Sequence, residues 1–140
     1  MTGLFPVFVL DASVTIAALL PEDRSDEARS ILRRALSGVI VPALWHLEVG
    51  NILIRAERRG AIKPRGRETL LADLAIIPID TDHEGSIHAW RGTTDLALRH
   101  SLTLYDATYL ELAIRYRLPL ATFDASLVRA ATAEHLPPLG

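Results

Sequence analysis

The stretch LTLYDATYLEL, residues 102–112, joins an apolar, strand-like half to a half with the periodicity of a helix. The helix that begins in this stretch continues beyond residue 112. In it, Leu110 and Ile114 share one face and Arg115 lies on the other. Asp106 stands at the junction, where an Asp side chain commonly accepts hydrogen bonds from the free N–H groups of the first turn. A single acid here is expected to be a helix cap, so a catalytic role depends on whether other acids lie beside it.

Outward from this stretch, short continuous apolar runs alternate with segments of helical periodicity. Strands are predicted at FPVFVL (5–10), VIVP (39–42), AIIPID (75–80) and LPLATF (118–123), and HLPPL (135–139) is interpreted as a last edge strand. Helices are predicted between them, one of them capped by Ser25. Strands that are apolar throughout predict a mostly parallel sheet covered on both faces, a three-layer α/β/α fold.

Composition predicts one domain over residues 1–140. The chain has 140 residues, of which 49% are hydrophobic, and it shows no linker, repeat or low-complexity run. No apolar run is long enough to span a bilayer. The N-terminal MTGLFPVFVLD lacks the basic flank and small-residue cleavage site of a secretory signal, so a cytoplasmic location is expected.

Four acids follow or flank the predicted strands. Asp11 and Asp124 each end a strand, Asp106 opens a helix, and Glu48 lies in the first turns of the helix after VIVP. In an open parallel sheet the carboxyl ends of the strands meet at one edge, where ligands usually bind. The four carboxylates are therefore expected to lie together.

Crowded carboxylates repel one another, and a divalent cation resolves that conflict. The chain has no Cys, which excludes disulfides, thiolate metal sites and cysteine nucleophiles. No pair of His residues stands at ligand spacing. An oxygen-only site for Mg²⁺ or Mn²⁺ is the consistent choice.

Three polar residues near these acids could support them. Ser13 and Thr122 are short hydroxyls that could orient a carboxylate, although Ser13 also fits a helix start and Thr122 a strand. Asn51 lies one turn beyond Glu48 and could tether it, or could form a buried structural hydrogen bond.

Other conspicuous residues are assigned ordinary roles. Asp80 and Asp82 are expected in a loop and cap before the next helix. Trp45 and Trp90 are expected to be core or interface anchors. Tyr105, beside Asp106, either packs or contacts a substrate.

A basic block lies between residues 55 and 67. It contains one acidic residue, Glu57, and six basic residues: Arg55, Arg58, Arg59, Lys63, Arg65 and Arg67. Such a block is either a solvated helix end or a phosphate-binding patch on a chain of net charge −2.

Four segments together resemble one known family. VLDASV (9–14), HLEVGNIL (46–53), LTLYDATYLELA (102–113) and LATFDASL (120–127) are similar, in this order, to the PIN-domain pattern, and more narrowly to the VapC toxin ribonucleases of type II toxin–antitoxin systems. The family's catalytic acids carry over onto Asp11, Glu48, Asp106 and Asp124. Of these, the two strand-end acids and Asp106 are the expected metal ligands.

The resemblance implies cleavage of RNA with Mg²⁺ or Mn²⁺, an antitoxin protein as partner, and a homodimer. Exposed apolar residues could form the partner patch, with Leu32, Leu36, Leu53 and Trp90 as candidates. The basic block, through Arg55, Arg58 and Arg59, would contact the RNA backbone.

Alternative functions are weighed by the residues they need. A phosphoacceptor receiver domain needs a Lys after a late strand, but the one Lys is Lys63. A haloacid-dehalogenase-type phosphatase needs an Asp where Ser13 stands. A non-catalytic PIN-like partner-binding module stays open, although the intact set of acids argues against it.

Overall fold

The computed structural model describes residues 5–140, and the first four residues of the N-terminal stretch lie outside it. Four parallel strands form one sheet in the order β3-β2-β1-β4. The strands are β1 (Phe8–Leu10), β2 (Val39–Pro42), β3 (Ile79–Asp82) and β4 (Leu120–Ala121). Because all four are parallel, their carboxyl ends share one edge, and the predicted three-layer α/β/α class is confirmed.

Eight helices flank the sheet in the described part of the chain. They are α1 (Ala12–Leu19), α2 (Ser25–Ala35), α3 (Leu44–Arg58), α4 (Pro64–Leu74), α5 (Gly85–His88), α6 (Gly92–His100), α7 (Leu104–Tyr116) and α8 (Ala125–Ala133). No helix among residues 5–140 has the length and apolarity needed to cross a membrane.

The core follows from the apolar strands. Every residue of β1 and β2 is buried, as continuous apolar runs require in a sheet covered on both faces. Helix α7 packs against β1, β2 and β4, and α1 packs against α2 and α3. A smaller cluster is centred on Leu96, Leu110 and Leu127, so α6 and α8 are fixed to α7.

The segment LTLY is not a strand. Ser101 ends α6 in the left-handed conformation (φ 55°), and Thr103 is already the N-cap of α7. The Thr103 hydroxyl accepts a hydrogen bond from the Asp106 N–H over 3.1 Å. Asp106 is therefore the third residue of α7, and the cap expected of it is supplied by Thr103.

Other expectations at element ends were also wrong. HLPPL forms no strand: α8 ends just before it, and His135 has φ 60°. Ser25 is the first residue of α2, and its hydroxyl bonds Leu20 O and Glu22 N instead of capping. Asp80 and Asp82, both expected in a loop and cap, belong to β3 instead.

Candidate active site

Asp11 occupies the carboxyl end of β1 at the centre of the sheet. Its N–H donates to the Ala121 carbonyl over 3.0 Å, which fixes the ends of β1 and β4 side by side. The residue is only 6% exposed, although it is the N-cap of α1. Its side chain makes no capping bond to that helix, so its carboxylate serves something other than the helix end.

Two hydroxyls hold the Asp11 carboxylate through the same oxygen. Ser13 Oγ donates to Asp11 Oδ2 over 2.6 Å, and Thr122 Oγ1 donates to Asp11 Oδ2 over 2.7 Å. The backbone N–H groups of Phe123 and Asp124 in turn donate to Ser13 Oγ and Thr122 Oγ1, each over 3.0 Å. Since each hydroxyl has one proton, these amides direct both protons to Asp11. Asp11 Oδ1 accepts neither of these two hydroxyl hydrogen bonds.

Asp124 and Asp106 lie on helix starts beside this centre. Asp124 is the N-cap of α8, and its Oδ1 accepts from the Leu127 N–H over 3.0 Å. Asp106 belongs to the first turn of α7 and is half-buried. Both acids therefore lie at the positive ends of helix dipoles, where a carboxylate is favoured.

Glu48 projects from α3 and is held by a residue that the sequence analysis did not single out. The Tyr109 hydroxyl donates to Glu48 Oε1 over 2.6 Å, and Tyr109 is completely buried. Tyr109 lies three residues after Asp106, so both face the same side of α7. That spacing is a signal in the sequence. Tyr105, which is adjacent to Asp106 in the sequence, is 69% exposed and does not hold Glu48.

The charges of the four acids act on one another. Burial raises the pKa of Asp11, the Ser13 and Thr122 bonds lower it in part, and the Asp124 charge raises it further. Burial likewise raises the pKa of Asp106, with contributions from Asp124 and Asp11.

Glu48 shows the same pattern. Burial raises its pKa, the Tyr109 hydrogen bond offsets part of that rise, and the charges of Asp11 and Asp106 add to it. In the described part of the chain, none of the four acids forms an ion pair. The structure therefore brings the expected acids into one electrostatic neighbourhood of uncompensated negative charge.

A hard divalent cation suits this donor chemistry, because the site offers carboxylate oxygens and excess negative charge. The side chains are not gathered around a single point, however. Among residues 5–140, no group of three His, Cys, Asp or Glu side chains is placed so that it could hold a metal ion. The Asp124 side chain caps α8, and the Glu48 side chain accepts a hydrogen bond from Tyr109. These side chains would have to move before the acids could bind one cation together.

The remaining expected residues lie outside this cluster. Asn51 is exposed and forms no side-chain hydrogen bond within residues 5–140, so neither the tether nor the buried bond is present. Arg55, Arg58 and Arg59 are exposed at the far end of α3. Leu53 is completely buried and cannot belong to a partner patch.

Comparison with known proteins identifies the fold and its family. The sequence model of the family described as PIN domain matches residues 8–133, which run from β1 to the end of α8 and include all four acids. The chain belongs to the PIN-domain family. The family expected from the four sequence segments is thereby confirmed.

Curated relatives of this PIN-domain chain carry the name VapC. Ribonuclease VapC3 of Pyrobaculum aerophilum is 30% identical over 119 residues, covering 85% of this chain and 90% of that protein. Ribonuclease VapC3 of Mycobacterium tuberculosis is 32% identical over 130 residues (91% and 89%), and Ribonuclease VapC1 of the same species is 32% identical over 123 residues (87% and 89%). The crystal structure of PAE2754 from Pyrobaculum aerophilum shares the fold, with a TM-score of 0.65 at 21% identity over 93% of this chain and 83% of that chain.

Proposed function

We propose that this chain is a single PIN domain that hydrolyses RNA phosphodiester bonds with Mg²⁺ or Mn²⁺, and that it is the toxin of a toxin–antitoxin pair. The observation that carries the proposal is Asp11, a buried carboxylate that two hydroxyls orient and whose charge interacts with those of Glu48, Asp106 and Asp124. The relatives named Ribonuclease VapC support RNA as the substrate.

Each residue of the site has a distinct proposed role. Asp11, Asp106 and Asp124 would hold the divalent cation, and Glu48 would complete the acidic set. Ser13 and Thr122 orient Asp11, and Tyr109 orients Glu48. The cation, when bound, would activate a water molecule and neutralise charge on the phosphate.

The raised pKa values fit this arrangement. Burial and the charges of neighbouring acids both raise the pKa of Asp11 and of Glu48. A bound divalent cation would neutralise these charges and would therefore stabilise the folded chain.

RNA hydrolysis by the purified full-length chain tests the proposal. We expect cleavage of single-stranded RNA with Mg²⁺ or Mn²⁺, no cleavage with EDTA, and no cleavage by Asp106→Asn. Equal cleavage by wild type and the variant would mark a contaminating nuclease. No cleavage by wild type with either metal would favour the non-catalytic partner-binding module instead.

The antitoxin and the homodimer are proposed from the same resemblance. Several large apolar side chains are exposed, and they include Leu47 and Ile54 on α3 and Trp90 between α5 and α6. Trp90, expected as an anchor, is 89% exposed and Leu36 is 52% exposed, so both are available to a partner. Light scattering that finds only monomer at micromolar concentration would overturn the dimer.

A further inference from the structure

An open cavity of about 740 Å³ adjoins the acidic site. Ser13 and Asp124 line one part of it, and Arg24 lines another. Among the described residues that line the cavity, Arg24 is the only Arg or Lys, whereas Glu22 and Asp23 add further negative charge. A polyanion that enters this cavity therefore meets one fixed cation.

Arg24 is fixed from two sides although half of its side chain is exposed. Its Cζ lies 3.7 Å from the centroid of the Phe123 ring, a cation–π contact. Its Nε and Nη2 donate to Glu27 Oε2 and Oε1, each over 2.9 Å. The guanidinium is thus positioned before any ligand arrives.

Phe123, on which Arg24 stacks, belongs to the short segment 122–124 that forms hydrogen bonds around Asp11. Phe123 lies between Thr122 and Asp124, and its N–H donates to Ser13 Oγ over 3.0 Å. The position of Arg24 is therefore coupled to the acidic site through the backbone of residues 122–124.

The guanidinium retains donors for a ligand. Its five N–H groups form a planar fork, and the two bonds to Glu27 do not use Nη1. The pair with Glu27 is a surface pair, which contributes little stability, so an incoming phosphate can share or displace Glu27. A planar fork matches a phosphate better than an ammonium group does.

We propose that Arg24 forms a phosphate subsite for the RNA backbone next to the scissile phosphate. The inference rests on the proposed function and deepens it, because it places the entering strand over Phe123 and Arg24. It also gives an entering polyanion one positioned guanidinium beside the acids of the site.

Binding of a fluorescent single-stranded RNA to the full chain in EDTA, at several salt concentrations, tests the subsite. The variants are Arg24→Ala and Arg24→Lys, and the matched control is Arg29→Ala, because Arg29 forms a similar exposed pair with Asp26 on the same helix. We expect Arg24→Ala to bind about 5–20-fold more weakly at low salt, with a log–log salt slope shallower by about 0.7, as for one phosphate contact on single-stranded nucleic acid. Arg29→Ala should match wild type, and Arg24→Lys should recover the slope but not the full affinity.

Cleavage assays in Mg²⁺ add a second readout. Arg24→Ala should raise KM and leave kcat within about twofold, since a phosphate contact away from the reacting bond acts on binding. Unchanged affinity in Arg24→Ala, or an equal loss in Arg29→Ala, overturns the subsite. So does a melting temperature lowered in Arg24→Ala and restored in Arg24→Lys without recovery of the salt slope, which marks a structural role.

The two proposals fail in different ways. If wild type cleaves RNA and Arg24→Ala binds and cleaves like wild type, the subsite is wrong and the nuclease assignment stands. If wild type binds RNA through Arg24 and never cleaves it, the nuclease assignment is wrong and the subsite stands.

Discussion

The Tyr109 hydroxyl lies 2.6 Å from Glu48 Oε1 and joins α7 to α3 at the acidic site. Burial raises the pKa of Tyr109 far above its ordinary value, and the bond to Glu48 raises it further. The phenol is therefore protonated near neutral pH and donates to Glu48. Tyr109 fixes one acid while Ser13 and Thr122 fix another, so the cluster is held by neutral donors rather than by cations.

Replacing Tyr109 with Phe should lower activity and destabilise the fold. Losing a hydrogen bond to a charged group costs about 1.5 kcal/mol. The bond lowers the pKa of Glu48, so without it that pKa rises further and the acid limb of the activity profile should move to higher pH. Urea unfolding and pH–rate profiles measure the two effects.

Tyr116→Phe is the control for this substitution, because Tyr116 lies on the same helix and is partly exposed. It should resemble wild type in both measurements. An unchanged pH profile in Tyr109→Phe would show that Glu48 takes no part in the reaction or needs no anchor.

Asp106→Asn should abolish cleavage and raise the melting temperature at pH 7 without divalent cations. The folded-state pKa of Asp106 is raised, so between the unfolded value and the folded value the folded state binds more protons. Stability therefore falls as pH rises through this window, and the Asn variant escapes that loss. Below about pH 3, where the carboxyl is protonated in both states, the advantage should vanish.

Melting curves with and without Mg²⁺ provide the second half of that experiment. Wild type should gain more from the metal than Asp106→Asn does, since the variant lacks one proposed ligand. Equal gains would place the metal elsewhere, and a variant less stable than wild type at pH 7 without metal would contradict the electrostatic argument.

Thr122→Val should weaken the response to metal. The Thr122 hydroxyl accepts a hydrogen bond from the Asp124 N–H and donates one to Asp11 Oδ2. Loss of this hydroxyl therefore leaves the Asp11 carboxylate less constrained. Groups that orient a metal ligand typically contribute about 10–100-fold to affinity or activity. The Mg²⁺ concentration for half-maximal activity should rise within that range, while Thr122→Ser, which keeps the hydroxyl, should stay near wild type. Equal metal requirements for the Val and Ser variants would remove this role.

Arg115→Met should destabilise the fold strongly. Arg115 is half-buried, with 18% of its side chain exposed, and donates to both oxygens of the buried Asp82, at 2.8 and 2.9 Å, as well as to Glu111. Removing one partner of a buried pair costs about 3–5 kcal/mol because a buried charge stays behind. Arg99→Met is the control, since Arg99 pairs with Glu134 while largely exposed. Its cost should be below about 1 kcal/mol.

The pH dependence of that difference is a further check. The Arg115 hydrogen bond holds the pKa of Asp82 below its usual value, so the unfolded state binds more protons in acid. The stabilisation is present above the unfolded Asp value, about 3.9, and is lost as pH falls through the folded value. Urea unfolding should show the gap between wild type and Arg115→Met narrowing below about pH 4. A gap that is constant down to pH 2 would contradict the pairing.

The sequence predicted structure best where a residue pattern directly reflects burial in the folded chain. Continuous apolar runs required burial on both faces, so the parallel sheet and the shared edge of Asp11 and Asp124 could be predicted. The junction at Asp106 could not, because LTLY satisfies the strand pattern and only the tight turn after Ser101 makes Thr103 a helix cap.

Contacts between distant elements escaped sequence reasoning for a different reason. The bonds from Tyr109 to Glu48 and from Arg115 to Asp82 depend on how helices pack against strands, and single-sequence periodicity does not encode that packing. Arg24 carries no signal in the sequence, because it follows the acids Glu22 and Asp23 and its stacking on Phe123 exists only in the folded chain.

Arg58→Ala combined with Arg59→Ala tests whether RNA extends along α3. Both residues are exposed and lie ten to eleven positions beyond Glu48, which is about 15 Å along the helix axis. That distance suits a long RNA and excludes contact with the scissile nucleotide. The double variant should bind RNA more weakly at low salt, with a log–log slope shallower by up to about 1.4 for two phosphates, and should keep its kcat.

Asp124→Asn is the opposite control for this experiment. It should bind RNA at least as well as wild type in EDTA, because it carries less negative charge, and should cleave far more slowly in Mg²⁺. The arginine pair acts on affinity and the acid on turnover, so the two variants separate the RNA path from the chemistry. If the double variant changes neither affinity nor salt slope, Arg58 and Arg59 form a solvated helix end, and the RNA leaves the site in another direction.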